Sequence, residues 1–71
     1  MKYILKVIGS NGEVNFYETS SRNSKKAVND YGAYRCIITN KHGKVLSAAE
    51  HSDEFGTYNI VFEETIEISK I

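Results

Sequence analysis

SSRNSKKAVNDYG, residues 20–32, is where an otherwise β-rich sequence changes period. Ser20, Ser21, Asn23 and Ser24 offer side-chain oxygens that suit a helix N-cap. Ala27, Val28 and Tyr31 recur at helical spacing, so one face of this segment is apolar. Gly32 falls where a glycine ends a helix in the left-handed conformation. The segment therefore predicts a short helix over residues 22–31, too short to persist unless docked on a sheet. One helix between two β-rich halves makes the fold class α+β rather than all-β.

Upstream, KYILKVI (2–8) alternates as a strand, with Tyr3, Leu5 and Val7 on one face and Ile4 and Ile8 on the other with Lys2 and Lys6. GSNGE follows, and Asn11-Gly12 is a strong hairpin signal because both residues tolerate positive φ. VNFYET (14–19) is the returning strand. Downstream, AYRCIIT, the turn NKHG and KVLSAA predict a second hairpin, and EHSDEFG reads as a polar loop or a helical turn. TYNIVFEETIEISKI then alternates over residues 57–69, longer than the usual ~5–6 residues of a strand. A shift of 31 residues aligns Tyr3, Gly12 and Val14 with Tyr34, Gly43 and Val45, which suggests a duplicated hairpin.

The expected architecture is one α+β domain over residues 1–71: an antiparallel sheet of four or five strands, ββαββ or ββαβββ, with one helix on one face. The expected core is Tyr3, Leu5, Val7, Val14, Phe16, Ala27, Val28, Tyr31, Cys36, Ile38, Val45, Ile60, Phe62 and Ile66. At 71 residues such a domain buries a small core and is marginal alone. A single cysteine rules out an internal disulfide and points to a reducing compartment, with the cytoplasm as the default. The N-terminal apolar run alternates like a strand and lacks a small-residue cleavage site, so it does not read as a signal peptide. No apolar run reaches the ~18–20 residues of a membrane span. The abundance of Ile, Lys and Asn, 21 of 71 residues, suggests an AT-rich coding sequence such as that of a low-GC bacterium or phage.

Few residues suggest chemistry. Cys36, His42, His51 and Asp53 are possible metal ligands, but their spacing matches no compact zinc site, and no metal or cofactor is expected. Cys36 shares a strand face with Tyr34 and Ile38, so it reads as a buried small hydrophobe rather than a nucleophile. Glu63 and Glu64 are adjacent on a strand and point to opposite faces, so they are no carboxylate pair. No nucleophile elbow, phosphate loop or G-x-G-x-x-G occurs. The reading is a protein that binds rather than catalyses.

Two binding modes compete. The net charge is zero but unevenly spread: residues 1–48 hold eight basic and three acidic groups, residues 49–71 one and six. Arg22, Lys25 and Lys26 at the helix start, with Arg35, Lys41 and Lys44 on the second hairpin, could neutralise nucleic-acid phosphates while Tyr17 or Tyr34 stacks on a base. The order of a hairpin followed by a helix opening on Ser24-Lys25-Lys26-Ala27 resembles, over about 30 residues, the arm-binding modules of phage integrases. That resemblance implies a nucleic-acid partner; the acidic C-terminal third and the lack of an arginine run depart from it. The reading ranked first is protein binding, as a homodimer or with another protein. Its expected interface is the apolar face of the last strand: Tyr58, Ile60, Phe62, Ile66 and Ile68.

Overall fold

The computed structural model describes residues 2–60. In chain order the elements are β1 (Tyr3–Ile8), β2 (Val14–Thr19), α1 (Ser24–Tyr31), β3 (Arg35–Thr39), β4 (Val45–Ser52) and β5 (Gly56–Asn59). The architecture is α+β with the order ββαβββ. All strand pairs are antiparallel, and the sheet order is β2-β1-β3-β4-β5.

The helix starts where its cap dictates. Asn23 is extended, and its side-chain oxygen accepts the Lys26 N–H at 3.0 Å. Gly32, at φ 59°, ends the helix, and the Ala33 N–H closes on the Val28 carbonyl at 3.0 Å. Ala27 and Val28 face the sheet and pack with Leu5, Val7, Ala33, Cys36, Ile38 and Ala49, with Tyr3 partly buried against them.

The 31-residue shift has a geometric counterpart. Gly12 N–H bonds the Gly9 carbonyl and Gly9 N–H the Glu13 carbonyl; Gly43 N–H bonds Asn40 and Asn40 N–H bonds Lys44 in the same pattern. Gly12 and Gly43 have φ of 86° and 85°, so both turns need the left-handed conformation that glycine adopts without a Cβ penalty. In the central β1–β3 ladder, Leu5 faces Ile38 and Val7 faces Cys36, and shifting either pair by 31 generates the other. A local two-fold thus passes through the Lys6–Ile37 pair. It breaks in β4, where Thr39 pairs with Val45 but Ile38 pairs with Ser47. Leu46 is the extra residue of a bulge, and beyond it every β4 side chain lies on the face opposite to that of an unbulged strand.

Three expectations need correction. Val14 and Phe16 are not core. The 9–13 loop sets Val14 against Ile8 and Phe16 against Lys6, on the face away from the helix, while Tyr17 takes the place opposite Leu5. Tyr31 is exposed rather than core, its ring 5.0 Å from that of Tyr17. EHSDEFG is not a loop throughout. β4 runs to Ser52, whose hydroxyl accepts the Glu54 and Phe55 N–H groups to make a tight turn into β5. Val45 and Ile60 are half-buried. Residues 61–69 of the expected long strand, with core candidates Phe62 and Ile66, lie outside the described residues.

Candidate functional site

The helix covers one face of the sheet. The registers place the following rows on the other face: Val14, Ile8, Arg35, Glu50 and Tyr58; then Phe16, Lys6, Ile37 and Ala48; then Glu18, Ile4 and Thr39. No described element covers this face. Ile37 and Ala48 are buried at its middle. Around them Phe16 is 64% exposed, Val14 44%, Tyr58 39% and Ile4 36%, so large apolar side chains are exposed on this face.

Arg35, Glu50, Lys2 and Glu18 have partners within the face, and Lys6 in its middle row has no acidic partner among the described residues. Arg35 Nε donates to Glu50 Oε2 at 2.7 Å, and Nη2 of the same guanidinium bonds the same oxygen. The Tyr58 hydroxyl donates to Glu50 Oε1 at 2.8 Å. These contacts, the tyrosine first and the arginine after it, hold the Glu50 carboxyl below the usual carboxylate range. The same hydrogen bond pushes the Tyr58 phenol up, because ionising it would forfeit the donor and set two anions together. Arg35 also lies 5.7 Å from the centroid of the Tyr34 ring. Lys2 approaches Glu18 at 4.0 Å on the solvent side.

A second feature lies at one end of the sheet. Tyr3 pairs with Thr19, Ile4 with Thr39 and Thr39 with Val45, so one end carries the start of β1, the end of β2 and the β3–β4 turn. The helix begins at the same end, where the Arg22 carbonyl accepts the Ser47 hydroxyl at 2.6 Å. Lys2, Arg22, Lys25, Lys41 and Lys44 therefore gather there, all exposed or half-exposed. Lys2, Tyr3, Asn40, Lys41 and His42 line one open cleft of about 460 Å³. Lys26 bridges to Asp30 at 2.7 Å along the helix, and Arg35 sits at the opposite end on Glu50. The opposite end also carries Glu13, Asp53 and Glu54.

The conceivable metal ligands do not converge. Cys36 is in mid-sheet between Val7 and Ala49, fully buried, its thiol pushed up to about 11 by burial. His42 is in the β3–β4 turn. His51 lies 3.7 Å from Asp53 at the far end of β4. Among the described residues no three His, Cys, Asp or Glu side chains could hold an ion together. No helix among them is long and apolar enough to cross a membrane.

Of the interface expected on the last strand, Tyr58 lies on the uncovered face, and Ile60, whose N–H bonds the Ala48 carbonyl at 2.9 Å, follows it. Phe62, Ile66 and Ile68 lie outside the described residues. Ile4, Val14 and Phe16 join that face although their strands read as ordinary core strands; the sole signal in the sequence is that β1 is apolar on both sides. Lys2 and His42 escape a sequence reading of the basic end because 40 residues separate them in the chain. Comparison of the chain with protein-family models, with curated proteins and with solved structures gave no match.

Proposed function

We propose that this protein acts by binding protein, without catalysis, and that the partner on its uncovered sheet face is a second copy of the same chain. The observation that carries this reading is the exposure of Ile4, Val14, Phe16 and Tyr58 together on the face opposite the helix. Two features favour an identical partner. Part of the face's charge is compensated within it, Arg35 by Glu50 and Lys2 near Glu18 at 4.0 Å, which leaves Lys6 as the cation of the described face that a pairing must set away from its copy. The chain is also small, and burying this face adds the apolar burial that its single helix cannot provide.

Covering each large side chain contributes roughly 1.5–3 kcal/mol before ordering costs. In a symmetric pair every contact counts twice. Phe16→Asp should convert a dimer into a folded monomer, because Phe16 lies outside the helix-side core. Sedimentation equilibrium, with circular dichroism as the check on folding, reads this directly. A wild type that remains monomeric at high micromolar concentration, or a Phe16→Asp variant that stays dimeric, refutes the proposal.

A further inference from the structure

The basic end of the sheet adjoins the uncovered face through Lys2, and its other four cations belong to the helix start and the β3–β4 turn. Five basic side chains from three chain segments lie at this end: Lys2 before β1, Arg22 and Lys25 around the helix start, and Lys41 and Lys44 in the β3–β4 turn. Among the described residues Glu18 is the acidic side chain near them, and it approaches Lys2 at 4.0 Å. The acidic groups Glu13, Glu50, Asp53 and Glu54 lie at the other end, so the described domain is polarised along its strands. A solvated surface of mixed charge would intersperse the two signs. Here the antiparallel pairing separates them.

We infer that this end binds the backbone of single-stranded nucleic acid. Lysine and arginine on exposed turns and a helix start provide mobile phosphate contacts without a fixed register. The cleft of about 460 Å³ is lined by Tyr3, Asn40 and His42 as well as by Lys2 and Lys41. Unstacked bases have free faces and edges that such rings and an amide can meet, whereas bases inside a duplex do not. The contacts are electrostatic in the main, so the binding is weak in sequence preference and strong in salt dependence.

The probe is a fluorescein-labelled 20-nucleotide single strand of mixed sequence, titrated with the full chain and read by anisotropy. With four phosphates neutralised, the single-strand slope of about −0.7 per contact lowers affinity roughly fiftyfold between 50 and 200 mM salt. Lys41→Glu with Lys44→Glu should weaken binding at 50 mM salt by roughly tenfold or more and flatten the salt slope. Both positions are turn residues, and circular dichroism verifies the fold. Asp53→Lys with Glu54→Lys changes the net charge by +4 at the opposite end, and should leave affinity within about threefold, since those sites lie a strand length of roughly 20 Å away, beyond the screening length of about 14 Å at 50 mM salt. The inference is overturned by any of four results: no salt-sensitive binding at 50 mM salt, unchanged affinity in the Lys41/Lys44 variant, an affinity that rises with net charge in the Asp53/Glu54 variant, or tighter binding to the matched duplex.

Discussion

Native Cys36 should react with a soluble thiol reagent at least a thousandfold more slowly than the same cysteine in the unfolded chain. Two routes to the thiol can be told apart, attack in the folded state and attack through opening. Burial pushes the thiol from an ordinary 9.0 to about 11. At pH 8 that lowers the reactive thiolate from about one molecule in ten to about one in a thousand, a hundredfold effect. Access matters as well. Cys36 is 0% exposed, enclosed on the helix side of the sheet between Val7 and Ala49. No reagent reaches it without opening the helix–sheet core. Stabilities of ~0.05–0.15 kcal/mol per residue give a chain of this length roughly 4–10 kcal/mol, and 4 kcal/mol corresponds to about a thousandfold protection. Labelling that proceeds through opening should follow the unfolded thiol's pH dependence and accelerate with sub-denaturing urea. The assay is pseudo-first-order reaction with a disulfide reagent at pH 7–9, with a urea-unfolded control. Native labelling slowed only a hundredfold and indifferent to urea would mean that the thiol is reachable in the folded state. Labelling as fast as the control would place Cys36 outside the core.

Three further outcomes are expected from the same contacts. Ile38→Ala, at a position 1% exposed beneath the helix, should cost about 2–5 kcal/mol of stability in a urea titration. Asn23→Ala removes the acceptor of the Lys26 N–H and should cost about 1 kcal/mol, with Asn23→Asp close to wild type by the same titration. Glu50 binds its proton less readily folded than unfolded, so its contribution is present above the ordinary carboxyl value of 4.5 and is lost as pH falls through the lower folded value. Tyr58 is the reverse case: its raised folded value means a contribution present below 10.0 and lost as pH rises beyond it. Glu50→Gln should therefore flatten both limbs of a melting-temperature profile from pH 2 to 11.

The elements and their order are written locally in the chain. A capping asparagine, a terminal glycine and apolar residues at helical spacing act within a few residues of one another, and so do the paired glycine turns at Gly12 and Gly43. These signals place one helix between two hairpins. The burial of Ala27, Val28, Cys36 and Ile38 is legible because each lies on the more apolar side of its own element. Which face of each strand is inside is settled by the assembled sheet. A strand's side chains alternate, so a register change of one residue exchanges its faces. β1 is apolar on both sides and β2 carries Phe16 on one side and Tyr17 on the other, which leaves their patterns compatible with either answer. The five-residue turn and the Leu46 bulge decide between them by counting residues, sending Phe16 outward and Ala49 inward. The basic end has the same origin. Lys2 and Lys41 are distant in the chain, and they share a cleft because β1 and β3 run antiparallel side by side.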